Sequence, residues 1–188
     1  MKKYMKLTDN DRKELLHIAR ETIIGTLNNT KYIPQSESKV LQAQCGAFVT
    51  LNKGNKLRGC IGKFHVDYEL YKVVHDVALL SAFQDNRFPP VQLDEMNDID
   101  IEISILTSFK KITDVNEIEV GKHGIYIMKN GRAGTFLPQV ATETGWSLGE
   151  FLGHCTQDKM GLGWNDWQRA DIFTYEAEVF GEKELGLK

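Results

Sequence analysis

No stretch of this 188-residue chain approaches the roughly 20 consecutive apolar residues of a membrane helix. The start, MKKYMKLTDNDRKELL, has two lysines but no apolar run behind them, so no secretory signal is read there. The expected setting is soluble and cytoplasmic. Cysteine is scarce and odd in number, with Cys45, Cys60 and Cys155 at unpaired spacings. That argues against a disulfide framework and fits a reducing compartment. CxxC, HExxH, GxGxxG and Walker loops are all missing, so neither a structural zinc nor another cofactor is expected. Basic excess is missing too. The formal net charge is -3, which speaks against nucleic acid as a partner. With 4 prolines and 26% charged residues, no collagenous or disordered segment stands out.

What is present reads as one domain over residues 1–188. Thr8 is placed to cap a first helix, with Asp11 at its third position where a carboxylate favours the dipole, and Leu15, Ile18, Ala19, Ile23 and Leu27 lie on one stripe. A hairpin follows, Ala47 to Leu51 and Leu57 to Ile61, around Lys53-Gly54-Asn55. A second helix is expected from Tyr68 to Asp85, with Asp67 as its cap and Pro89-Pro90 beyond its end. Ile99, Ile101, Ile103 and Ile105 alternate with polar residues as a half-buried strand. Residues 107 to 119 read as loop. Asn130-Gly131 marks another hairpin. Ser147 and Glu150 form a capping box, and Phe173 to Val179 reads as a last strand before a frayed tail from Gly181. Hairpins among helices give an α+β fold with a mostly antiparallel sheet flanked by helices.

The chemistry concentrates in Leu57-Arg58-Gly59-Cys60-Ile61-Gly62. Pairing Leu51 with Leu57, Val49 with Gly59 and Ala47 with Ile61 gathers the aliphatics on one face. Arg58 and Cys60 then project together from the other face, ~7 Å apart, beside Phe48 and Thr50. Cys45 falls on the aliphatic face, away from Cys60. A cation near a thiol favours the reactive thiolate, so Cys60 is the candidate nucleophile or redox thiol and Arg58 its tuning cation or an anion binder. Gly59 and Gly62 would let a ligand approach the backbone. His65, in the exit loop, is a weaker candidate for a base. Arg87, before Phe88-Pro89-Pro90, would line a rigid pocket wall. Cys155 belongs to a helical apolar stripe, and Trp146, Trp164 and Trp167 read as packing residues.

The unchanged hexapeptide LRGCIG resembles the signature of the AMMECR domain family, whose prokaryotic members are called AmmeMemoRadiSam system protein A. Arg87-Phe88-Pro89-Pro90, Glu102 to Leu106, Gly121 to Ile125, Leu137 to Ala141 with Glu143 and Trp146, and Tyr175 to Glu178 are similar as well. The resemblance spans Ala43 to Phe180. It implies a large sheet-and-helix lobe plus a smaller β-rich lobe, with the signature at a cleft near their junction. It also implies association with a Memo-like protein and a radical S-adenosylmethionine enzyme. Two functions are carried forward. One is a thiol-dependent enzyme or enzyme subunit of that system; the alternative is a non-catalytic ligand-binding, regulatory or scaffold module.

Overall fold

The computed structural model describes residues 6–64, 66–107 and 109–188. These fall into two compact units, Met1–Leu106 with Glu178–Lys188, and Thr107–Ala177.

The first unit opens with helix α1, Asp9–Leu27. Thr8 accepts from the Asp11 N–H, and the Asp11 carboxylate accepts from the Thr8 N–H, a closed capping box. Strands β1 (Ala47–Lys53) and β2 (Lys56–Lys63) follow, then helix α2 (Leu70–Phe83) and strand β3 (Ile99–Leu106). Strand β8 (Ala177–Gly181) joins them late in the chain. Among the described residues the sheet runs β2-β1-β3-β8, with β1 antiparallel to both neighbours. Ala47, Val49 and Leu51 of β1 and the four isoleucines of β3 point to one face. There the stripes of α1 and α2 bury them, with Leu15, Ile18, Val73, Val77 and Ala78 in the same core. Burying a side chain of this size contributes roughly 1.5–3 kcal/mol.

The second unit holds β4 (Lys110–Ile112), β5 (Gly124–Lys129), β6 (Arg132–Phe136) and β7 (Asp171–Tyr175) in the order β4-β7-β5-β6. Helices α3 (Pro138–Thr144) and α4 (Leu148–His154) lie between β6 and β7 in the chain. Ser147 and Glu150 cap α4 reciprocally. A π-helical turn, Cys155–Lys159, continues it. Phe151, Leu152 and Cys155 pack with Ile125, Ile127 and Ile172 in this unit's own core.

Several sequence expectations need correction. Helix α2 starts at Leu70 after Glu69, not after an Asp67 cap, because Leu70 and Tyr71 donate back to the carbonyls of Ala43 and Leu41. The stretch read as loop contains β4, which is only three residues long and held by pairing with β7. The single last strand is two strands, since Glu176 lies between β7 of one sheet and β8 of the other. The tail is not frayed. Glu182 is buried, ion-paired with Arg20, and accepts the Ile101 N–H at 2.8 Å. Among the described residues no helix is long and apolar enough to cross a membrane.

Candidate functional site

The hairpin register differs from the one expected. The turn is the two-residue Gly54-Asn55, with Gly54 at φ +60°, and the strands pair up to Lys53 and Lys56. Beyond it the register shifts, so that Leu51 faces Gly59, Thr50 faces Cys60 and Val49 faces Ile61. Arg58 is the extra residue of a bulge, which re-aims a side chain. Leu57 consequently lies opposite Asn52 and is 42% exposed, outside the aliphatic face assigned to it.

That bulge sends Arg58 away from Cys60. Its guanidinium grips Glu95 with two bonds, Nε to Oε1 at 3.0 Å and Nη2 to Oε2 at 2.8 Å. Glu95 sits on a short 3-10 helix, Leu93–Asn97, and also accepts the Gln92 N–H. Arg58 above all, then that N–H, hold the Glu95 carboxyl down at about 2. The arginine is thus an anchor for the segment after Pro90.

Gly59 is where helix α2 touches the strand. A Cβ there would stand 2.3 Å from the Ser81 carbonyl oxygen. One turn of contact is sealed by the same serine. Its hydroxyl accepts from the Ile61 N–H at 2.9 Å and donates to the Val49 carbonyl at 2.8 Å. A helix side chain therefore bridges the ladder between β1 and β2. Gly62 lies under the Phe48 ring, where a Cβ would come within 2.3 Å of Cγ. Both glycines are spent on packing within the unit rather than on an open approach.

The backbone of Cys60 is clamped from the edge of the sheet. Asp85 Oδ2 accepts its N–H at 2.9 Å, and Arg87 Nη2 donates to its carbonyl at 3.0 Å. Asp85 and Arg87 also bind each other through Nε–Oδ1 at 2.9 Å and Nη2–Oδ2 at 2.7 Å. The carboxylate side chain is 4% exposed and the guanidinium 47%. Arg87 first, assisted by the Cys60 and Arg87 N–H groups, pulls the Asp85 carboxyl down to about 2. Side chains here occupy an edge strand's donor and acceptor, which would otherwise invite another strand.

The Cys60 thiol points to the face opposite the core, where the Thr50 hydroxyl donates to Sγ at 3.2 Å. Glu102 stands across from Thr50 on β3, completing a row Cys60, Thr50, Glu102 over three strands. Burial pushes the thiol above its ordinary pKa, against the opposing pull of the Thr50 hydroxyl and the Arg87 charge. The cation beside the thiol is therefore Arg87, not Arg58, and it does not outweigh desolvation. Cys45, whose thiol donates to the Leu106 carbonyl, is pushed to about 11, and buried Cys155 to about 12. All three cysteines are free.

Of the residues singled out in the sequence, Cys60, Gly59, Gly62 and Arg87 meet here, and Arg58 turns to Glu95. His65 lies outside the described residues. Sequence reading missed Ser81, Asp85 and Glu95, the three partners that hold the signature. In the sequence Asp85 marks only the end of the second helix, two residues before Arg87. A second polar knot follows the strand, with Lys63 donating to the Tyr68 hydroxyl at 2.7 Å and to Asp76 at 3.0 Å. Among the described residues no group of three His, Cys, Asp or Glu could hold a metal ion.

Comparison with known proteins adds the wider setting. The AMMECR1 family model matches residues 16–180. A Methanosarcina barkeri protein is 40% identical over 189 residues, covering 95% of this chain and 93% of that one. A Methanopyrus kandleri protein is 38% identical over 191 residues, covering 95% and 92%. The crystal structure of an uncharacterised Pyrococcus horikoshii protein superposes with a TM-score of 0.89 at 34% identity, covering 97% of this chain and 96% of that one.

Proposed function

Because this chain belongs to the AMMECR1 family, we propose that it acts as a non-catalytic binding module, with the LRGCIG strand presenting a neutral thiol to its ligand or partner. The observation that carries this reading is the fate of the two groups a thiol enzyme would need. Arg58 is locked into a fork with Glu95, and burial pushes the Cys60 thiol above its ordinary pKa, away from the thiolate that a nucleophile needs. A neutral thiol beside a hydroxyl recognises by shape and weak polarity, not by attack. The Memo-like protein and radical S-adenosylmethionine enzyme of the resembling system are the partners we assign to it.

A thiol-dependent step is the second reading. The half-exposed Arg87 guanidinium favours it, since an anionic group bound there would sit beside Cys60.

Paired measurements separate the two. Association with each partner, measured by calorimetry, should change by no more than about threefold in Cys60→Ser, under 1 kcal/mol. Growth or pathway output in cells carrying that variant should persist. Intact association with complete loss of output would establish the catalytic reading instead.

A further inference from the structure

A separate feature lies wholly within the second unit, at the loop after the π-helical turn. Trp164 is 38% exposed, yet its position is fixed on three sides. Gly153 lies against the ring, so closely that a Cβ there would come within 2.3 Å of it. The His154 ring meets it edge-to-face at 4.8 Å, and is itself stacked on Trp146 at 4.0 Å and 14°. Asp158 fixes that imidazole through Nδ1 at 2.8 Å. Finally, the Thr156 hydroxyl donates to the Trp164 carbonyl at 3.1 Å. An exposed aromatic held this firmly loses little freedom when a flat partner stacks on it.

Trp164 borders a groove of about 420 Å³, lined also by Gly163, Asn165, Asp166, Gln168 and Arg169. That is within the size range of small-molecule sites. Its charges are not balanced. Asp166 is already engaged, with Lys129 at 2.6 Å and the Gly163 N–H at 2.6 Å. Arg169 makes no ion pair among the described residues. The groove thus offers one rigid stacking surface, side-chain amides at Asn165 and Gln168, and the Arg169 guanidinium, which has no direct ion pair among the described residues although its charge also acts on Asp166. These suit a ligand with a flat heterocycle at one end and an anionic group at the other. A long nucleic acid is disfavoured, because the chain carries a net charge of -3 and the groove is confined to one loop.

We propose that this groove is a mononucleotide site, with the base stacked on Trp164 and the phosphate on Arg169. Its test is a two-dimensional NMR titration of the whole protein, following the Trp164 indole N–H, identified by its disappearance in Trp164→Phe. Adenosine 5′-monophosphate should give a saturable shift. Adenosine and inorganic phosphate should each bind at least about tenfold more weakly, since each supplies half of the contacts. Arg169 is exposed, so Arg169→Gln should leave the spectrum folded, weaken the nucleotide about tenfold and abolish the salt dependence of binding. Trp164→Phe, whose titration is followed by the backbone amides of the groove residues Gly163, Asn165 and Gln168, should weaken it severalfold while retaining that salt dependence. The proposal is overturned if the nucleotide gives no saturable shift, if inorganic phosphate binds as well as the nucleotide, or if Arg169→Gln binds unchanged.

Discussion

Gly59→Ala should lower the stability of the first unit by roughly 2–3 kcal/mol, the usual cost of forcing volume into a packed contact. In a chain of this length that corresponds to a fall in Tm of about 4–12 °C. The reason is specific. The added methyl would meet the Ser81 carbonyl at 2.3 Å, and a helix backbone cannot rotate aside as a side-chain tip can. Moving α2 outward would also break the Ser81 bridge between Ile61 and Val49. Gly149→Ala is the control. Nothing lies within 4 Å of its missing Cβ in helix α4, so the helix-favouring alanine should leave stability unchanged or raise it by about 0.5–1 kcal/mol. Thermal melts of the two variants beside the parent protein decide the matter, and equal melting temperatures would refute the close-contact account of the signature glycine.

The second large effect is acid sensitivity centred on the same strand. Asp85 and Glu95 both titrate near 2 in the folded chain, below ordinary carboxyl values of 3.8 and 4.5. A carboxyl whose folded pKa is depressed binds its proton more readily when unfolded. Its stabilisation is therefore complete above about pH 5 and disappears as pH falls towards 2. At 1.36 kcal/mol per unit, the two shifts correspond to about 2 kcal/mol for Asp85 and about 3 kcal/mol for Glu95. The unfolding free energy of the first unit, read by native-state hydrogen exchange of its core amides, should fall by that order between pH 6 and pH 2.5. Glu95→Gln should start less stable, because Arg58 loses its anion, and should then lose less on acidification. Parallel pH profiles for parent and variant would remove Glu95 from the explanation.

Much of the fold is legible in the sequence wherever the signal is local. The alternation from Ile99 to Ile105, the capping boxes at Thr8 and Ser147, and the Asn130-Gly131 turn each determine their element through neighbours a few residues away. The signature is legible as a place but not as an arrangement. Its partners Ser81, Asp85 and Glu95 come from 20 to 37 residues downstream and meet it only through tertiary packing. The bulge at Arg58 is invisible to side-chain alternation, because one extra residue leaves the composition of the strand unchanged while redirecting its side chains. The division of the last strand is hidden for a related reason. Alternation continues through Tyr175, Glu176 and Ala177, although the chain passes from one sheet to the other there.

These contacts give the hexapeptide a physical reading residue by residue. Arg58 anchors Glu95, Gly59 admits the backbone of α2, Ile61 takes the Ser81 bridge and Gly62 lies beneath Phe48. Leu57 is exposed near the turn, and the Cys60 side chain lies on the face opposite the core as a thiol bonded to Thr50.

The ionisation of that thiol tests the account most directly. Residue-resolved alkylation of the native protein by iodoacetamide from pH 6 to pH 10, analysed by mass spectrometry, gives the titration of each cysteine in one experiment. Cys60 should react faster than Cys45, and Cys45 faster than Cys155, in the order of their burial-raised pKa values. At pH 7 Cys60 should still react more slowly than the thiol of an unstructured peptide, with its midpoint above the ordinary thiol range. A Cys60 that alkylates faster than the peptide at pH 7, with a midpoint below that range, would contradict the binding-module reading and make Cys60 a nucleophile.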